Sequence, residues 1–427
     1  MLRYLINFFS KLGVDVISRL LSLVTLPIIA RTLGPDGYGL YAYLSVLVGY
    51  FGFFLDLGYY IYGTSEICRT GNSVEVVDDI ISLQAVVLVV TMAVLVISGL
   101  LFFDTTFLVL VLISAFTLVV QPMLITHYYI ANKKLYHISL AQLIGQVLFV
   151  ISVVTLYINT PSLLLLVVLT QAAGIITALI MFVPYVRKNG LHLRLRFSAL
   201  RATISKVYRL GIASKLEAVT TSITPLILGA WLSSYELGVY SAAFKIFILL
   251  FASVQSLQQT IMPLIFKKQS TKDVDFEQMS LLFYLNVAFG VVFGVAVFLC
   301  SPLIITILYG EKFIDAIIVL RFFSLAIALW PTHSFILTML IALKRHTSYL
   351  ITTITYSAFA VIISMVFIPV FKLTGAMLVL PITAVTGICT SLFFVHKSTK
   401  QENLCMWQLF DSRPTRELIA KLVFNRG

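Results

Sequence analysis

Twelve apolar stretches dominate this chain, at about 11–33, 39–63, 80–103, 106–130, 138–158, 162–185, 210–232, 238–264, 281–305, 315–341, 349–370 and 375–396. A hydrocarbon core about 30 Å thick takes about 20 helical residues to cross. A helix also satisfies its own backbone N–H and C=O groups, which hydrocarbon demands of any spanning segment. The expectation is an all-α polytopic membrane protein with twelve transmembrane helices. With 60% hydrophobic and 11% charged residues, a soluble globular fold is excluded. Some stretches adjoin across few residues, such as Asn159-Thr160-Pro161, so tight antiparallel hairpins are expected.

Basic residues then set the orientation. With both termini cytoplasmic, 23 of the 30 Lys and Arg fall inside, 3 outside (Arg31, Lys312, Lys372) and 4 within spans (Arg19, Lys215, Lys245, Arg321). Seven of the inner ones crowd one central loop: Arg187, Lys188, Arg194, Arg196, Arg201, Lys206 and Arg209. The second cytoplasmic loop departs from the pattern, since Glu66, Glu75, Asp78 and Asp79 accompany only Arg69. The net charge of +12 lies in short segments between spans, where it meets anionic lipid head groups rather than nucleic acid. Cys68, Cys300, Cys389 and Cys405 show neither paired nor metal-ligand spacing, so free thiols and no metal site are expected. Arg3 and Lys11 precede the first apolar stretch without a small-residue cleavage site, so that stretch reads as a retained span.

The apolar stretches repeat. Leu12-Gly13 is followed by Pro27 and Leu210-Gly211 by Pro225, each fourteen residues after the glycine. Gly39-Leu40-Tyr41 answers Gly238-Val239-Tyr240, and Ile130-Ala131 with Lys133-Lys134 answers Ile341-Ala342 with Lys344-Arg345. Six spans per copy return the chain to the same side, so the copies are parallel. The expected organisation is a six-helix lobe at 1–185, a basic cytoplasmic linker at 186–209, a second six-helix lobe at 210–396 and a cytoplasmic tail at 397–427. The tail turns amphipathic through Leu418-Ile419 and Leu422-Val423-Phe424, as a segment lying on the membrane surface does.

An ionisable side chain at bilayer depth costs at least ~2.5–3.5 kcal/mol and persists where it faces a wet cavity or a partner. Asp15 and Arg19 lie four apart on one helical face, continued by Ser22. The repeat offset of 198 places Glu217 on Arg19 and Thr220 on Ser22, so each lobe presents a polar stripe, with opposite charges. Facing stripes would line a cavity; a structural Asp15–Arg19 pair near the inner interface explains the first equally well. Arg19, Lys215, Lys245 and Arg321 are the candidate cavity cations, although Lys215 is close enough to its span end to snorkel. Asp15, Asp56 and Glu217 are the candidates for coupling to a proton or sodium gradient. His127 and His333 are weaker, because a lone membrane histidine often serves only a neighbouring helix. Pro27 and Pro225 favour kinks near the outer ends of the first and seventh spans. Tyrosines cluster at span ends, as an aromatic belt does.

Enzyme chemistry has no foothold. There is no G-x-x-x-x-G-K-[ST] loop, no H-E-x-x-H and no G-x-S-x-G, and the outer loops are too short for a catalytic domain. No cofactor is expected.

The stretch Leu26-Pro27-Ile28-Ile29-Ala30-Arg31-Thr32-Leu33-Gly34-Pro35-Asp36-Gly37-Tyr38-Gly39-Leu40-Tyr41 resembles the bacterial polysaccharide (O-antigen) repeat-unit flippases of the Wzx type. So do Asp56-Leu57-Gly58 and Leu308-Tyr309-Gly310-Glu311-Lys312-Phe313, and the likeness extends along the whole twelve-span pattern. That family belongs to the multidrug/oligosaccharidyl-lipid/polysaccharide exporter superfamily. The resemblance implies a V-shaped, two-lobed transporter in the bacterial inner membrane, moving an undecaprenyl-pyrophosphate-linked oligosaccharide by alternating access. It also implies membrane lipids, a polysaccharide polymerase and a chain-length regulator as partners. The related lipid II flippases usually carry two further spans, and the sequence shows no such stretches beyond the twelve. The rival is a multidrug or small-molecule efflux antiporter of the same superfamily. The major facilitator signature is missing, since the second loop reads Glu66-Ile67-Cys68-Arg69-Thr70-Gly71.

Overall fold

A computed structural model describes residues 2–56, 58–191, 223–267, 276–342 and 345–401. Among the described residues every regular element is helical, and nine helices are long and apolar enough to cross a membrane. Two of the nine, Leu20–Leu55 and Thr347–Lys397, exceed one crossing. Each holds a single non-helical residue near its middle: Gly34 (φ 65°, ψ 179°) and Lys372 (φ 50°, ψ −129°). Most of the seventh expected span, the expected linker from residue 192 on and the tail beyond 401 lie outside the described residues.

Two compact units emerge. The first comprises Met1–Lys215 and Leu308–Lys312; the second comprises Leu216–Ile307 and Phe313–Gly427. In the first, α1 (Leu2–Leu55) turns back at Gly34, where the left-handed φ is free of Cβ strain. Ser18 and Tyr41 would stand about 35 Å apart on a straight helix, yet they line one cavity. The expected loop at 34–38 therefore shrinks to one residue. Pro27 and Pro35 sit within helical backbone, so the break falls at the glycine and not at Pro27.

The second span was expected to be continuous over 39–63. It is not: α1 ends at Leu55 and α2 (Tyr59–Thr70) starts after Gly58, whose φ is 102°. The break frees the Leu55 carbonyl, and the buried Gln84 side chain donates to it (3.0 Å). Gln84 belongs to α3 (Ser73–Phe102), which starts seven residues before its expected boundary at 80. Asn72 explains the early start: its side chain accepts from Glu75 N (3.3 Å) and donates to the Glu75 carboxylate (2.8 Å), a reciprocal cap.

The fourth span is also interrupted. It runs as α4 (Thr105–Ser114), α5 (Phe116–Val120), a 3₁₀ turn at Gln121–Met123 and α6 (Thr126–Ala131). Pro122, which has no N–H to give, sits in that turn. Gln121 donates to the Gly52 carbonyl at 3.4 Å, tying this break to the second span. Two uninterrupted crossings complete the unit, α7 (Leu135–Ser152, prolonged by a π turn at Val153–Tyr157) and α8 (Leu163–Asn189). The first residues of the expected linker, 186–189, continue α8.

The second unit holds a helix at 223–231 (α9), α10 (Ser234–Lys267), α11 (Phe276–Leu308), α12 (Ala316–Ala342) and α13 (His346–Gln401). Pro225 lies inside α9. Tyr240, Phe244, Phe247 and Phe251 recur at helical spacing along α10. Tyr240 and Phe247 meet Phe323 of α12 at 5.4 and 5.5 Å, and Phe251 meets Trp330 at 4.9 Å. Gly290 and Gly294 let α11 approach α12 closely: a Cβ on Gly294 would fall 2.6 Å from Ala328 Cβ. Large apolar side chains on the outside, such as Val89, Leu101, Val292 and Leu299, are those a bilayer would cover. Cys68, Cys300 and Cys389 are free and exposed; Cys405 lies outside the described residues.

Candidate functional site

A cavity of about 650 Å³ opens within the first unit. Ser18 and Tyr41 contribute from the two arms of α1. From α7 come Gln142, Gly145, Gln146 and Phe149, and from α8 Thr170, Ala173, Gly174 and Thr177. Both sets follow the spacing i, i+3, i+4, i+7, which puts four residues on one helical face. Each face is polar at some positions and small at others.

Gly145 sets how close the two helices come. A Cβ there would collide with Thr177 Oγ1 and lie 3.1 Å from the Ala173 carbonyl oxygen. Gly174 is the opposite case, with nothing within 4 Å of where its Cβ would stand, so its face looks into open space.

The polar liners are amides and hydroxyls. Gln146 Nε2 donates to Ser22 Oγ (3.4 Å), and Ser22 Oγ donates to the Ser18 carbonyl (2.9 Å). Tyr41 and Thr170 share a hydroxyl contact of 3.4 Å; Thr170 and Thr177 also donate to helix carbonyls one turn back, at 2.8 and 2.9 Å. The exposed Gln142 side chain has no hydrogen-bond partner among the described residues. No charged side chain among the described residues lines the cavity. A chamber whose described liners are uncharged hydrogen-bonding groups, inside a bundle with a lipid-compatible exterior, can hold a hydroxylated ligand that lipid would reject.

The residues singled out from sequence fall on several elements of the two units. Asp15 and Arg19 belong to α1, Asp15 three residues before Ser18 and Arg19 directly after it, but their side chains lie outside the described ones. Lys215 and Glu217 lie outside the described residues. Asp56 occupies the break in the second span, half-buried, with its N–H donating to the Gly52 (3.1 Å) and Phe53 (3.3 Å) carbonyls. Lys245 stands exposed on α10 with no ion-pair or hydrogen-bond partner among the described residues. Arg321 is engaged within the second unit: its Nε donates to Ser301 Oγ (3.3 Å) and its guanidinium lies 5.1 Å from the Phe298 ring centre. His127 is buried against Gly63, and His333 against Gly387 between Trp330 and Tyr356, so both are packed groups.

Sequence reading followed charges and passed over the cavity liners. The signal was present in Gln142-Gly145-Gln146 and Thr170-Gly174-Thr177, polar or small residues at helical spacing inside otherwise apolar spans.

Comparison with known proteins agrees with this architecture. Across 99% of this chain and 92% of its own, the lipid II flippase MurJ in an inward closed conformation superposes with a TM-score of 0.73 at 14% identity. An inward-facing multidrug resistance MATE family transporter of the MOP superfamily gives a TM-score of 0.65 at 15% identity, over 92% and 99% of the two chains. A MOP superfamily transporter from Pyrococcus furiosus gives 0.54 at 14%, over 93% and 96%. Identities this low speak for the fold alone. No curated protein matches the sequence. The polysaccharide biosynthesis protein family matches residues 4–269, well over half the chain, and these relatives are transporters and flippases rather than enzymes. The chain is thus a multi-pass membrane protein with the MOP transporter fold, and it belongs to the polysaccharide biosynthesis protein family.

Proposed function

We propose that this protein flips an undecaprenyl-pyrophosphate-linked oligosaccharide repeat unit, of an O-antigen, a capsule or a related polysaccharide, across the bacterial inner membrane by alternating access. The polar cavity within the first six-helix lobe carries this reading. A polyprenyl tail can stay in lipid throughout, whereas the sugar head group needs hydrogen-bonding partners at every depth. Membership of a polysaccharide biosynthesis family and the fold shared with a lipid II flippase favour the same substrate class.

In this reading Arg19, Lys215, Lys245 and Arg321 stabilise the pyrophosphate along its path. The lack of a partner for Lys245 among the described residues, in a membrane helix, supports its part, because such a charge is costly unless it serves a ligand or a wet surface. Asp15, Asp56 and Glu217 are the proposed coupling groups for a proton or sodium gradient. Both termini face the cytoplasm, as the distribution of Lys and Arg indicates, and a polymerase and a chain-length regulator act on the delivered units.

Deleting the gene in its host provides the test. Single lipid-linked repeat units should accumulate on the cytoplasmic leaflet, and the gene supplied in trans should clear them. The second reading, small-molecule efflux, draws on the shared fold with the multidrug transporter. Unchanged lipid-linked intermediates together with new sensitivity to cationic drugs would establish efflux instead.

A further inference from the structure

We propose that His333 is a proton switch in the second unit. It is neutral in this packing and takes a proton when α12 and α13 loosen against each other, so acid favours the looser state. The inference rests on the transporter fold and not on which cargo is carried.

α12 brings Trp330, Pro331 and His333 into one turn, all buried. Trp330 meets the imidazole edge-to-face at 5.5 Å, and Tyr356, from the arm of α13 before Lys372, meets it at 4.9 Å. Gly387, from the arm after Lys372, closes the third side: a Cβ there would fall 2.5 Å from Nε2. Neither Nδ1 nor Nε2 has a hydrogen-bond partner among the described residues. One turn before Tyr356, on the same helical face, Thr352 Oγ1 is buried without a partner too. Thr353 and Thr383 instead return their hydroxyls to carbonyls one turn back, at 3.0 and 2.7 Å. Polar atoms left in this way cost stability that an apolar side chain of the same shape would not. A phenylalanine would fill the space between Trp330 and Tyr356 as well, so packing alone does not account for an imidazole.

What histidine adds is a group that changes charge near neutral pH. Of its neighbours Trp330, Tyr356 and Gly387, only Tyr356 is titratable, and no charged group among the described residues acts on the ring. An imidazolium therefore lacks a counter-charge in this packing and needs water to form. Pro331, two residues earlier, withholds the N–H that would meet the Ile327 carbonyl, which gives α12 a place to bend. Bending there lifts His333 off Gly387 and admits water to both ring nitrogens and to Thr352. The proton comes from that water, adds to the ring nitrogen that carries none, and returns to solvent when the helices close. One state excludes the proton and the other accepts it, so acid shifts the population by up to about tenfold per pH unit. That bias is what a proton gradient requires in order to move a lobe.

Trp330 reports on the ring directly. Full-length protein carrying Trp231→Phe and Trp407→Phe keeps it as the one tryptophan. Its emission would be followed in detergent, without cargo, from about pH 9 to about pH 4, either side of the range in which histidine changes charge. Emission should fall and shift to the red on acidification, reversibly and along a one-proton curve, as imidazolium and water reach the indole. Adding His333→Gln should remove the change. Constant emission in a protein that elutes as folded, or the same change with His333→Gln, would overturn the proposal. So would a midpoint outside about pH 5–8 in the protein that keeps His333. Should His333→Gln fail to insert, His333→Phe takes its place with the same outcomes, and the midpoint decides if both fail. Lipid-linked units in the deletion strain test the flippase reading separately, so either idea can fall while the other stands.

Discussion

Gly145→Ala should weaken the first lobe, and Thr177→Ala should partly undo the damage. A Cβ at 145 would collide with Thr177 Oγ1, a short side chain that must rotate to escape. Rotation breaks its 2.9 Å bond to the Ala173 carbonyl, a loss of about 0.5–1.5 kcal/mol. The other contact, 3.1 Å from that same carbonyl oxygen, involves backbone and needs a small helix shift. Overpacking of this kind costs about 1–3 kcal/mol, and alanine returns up to about 1 kcal/mol of helix propensity. The net loss is roughly 1–2 kcal/mol. For a unit of about this size, 1 kcal/mol corresponds to about 2–4 °C, so melting in a fixed detergent should fall by roughly 2–8 °C. Thr177→Ala removes the obstructing oxygen, so the double variant should show a favourable coupling of about 0.5 kcal/mol or more. Additive effects of the two substitutions would refute the close α7–α8 approach on which the cavity's shape depends.

Three further outcomes are expected. Gln84→Leu leaves the Leu55 carbonyl at the second-span break without its donor and should cost about 1–3 kcal/mol; a melting profile equal to that of the parent would show that the break needs no such cap. Gly387→Ala sets a methyl 2.5 Å from His333 Nε2 and should lower the melting temperature, with His333→Ala restoring part of the loss; a neutral Gly387→Ala variant would contradict this packing. Lys245→Ala and Arg321→Ala should each abolish surface polysaccharide in a complemented deletion strain while membrane levels of the protein hold, by immunoblot. Normal display in both would remove the two cations from the substrate path.

Residues whose effect is local could be read from sequence. Long apolar runs marked the spans, and Gly34 and Lys372 fall in turns that the polar punctuation had already located to within a few residues. Tertiary contacts were harder. Phe54-Leu55-Asp56-Leu57-Gly58 lies inside an apolar run, and its one glycine did not by itself announce a break; the carbonyl that the break frees at Leu55 is met by Gln84, 29 residues away. Pro122 was a visible warning in the fourth span and went unused. Arg321 was singled out as a cavity cation, but its bond to Ser301 depends on how α11 and α12 pair, which spacing along one helix does not reveal. The cavity was missed for a chemical reason: charge is conspicuous in a membrane helix, whereas a glutamine or threonine at helical spacing is quiet until a second helix presents the same pattern opposite.

Reconstitution offers the most direct check. Purified protein would be placed in vesicles containing a polyprenyl-pyrophosphate-linked oligosaccharide, and an external glycosidase would report the fraction of head groups facing out. Digestion should rise from the outer-leaflet half towards all of the substrate, and Gly174→Leu should return it to the protein-free level. Digestion equal to that of protein-free vesicles, with the protein folded and inserted, would contradict a role in moving lipid-linked sugar.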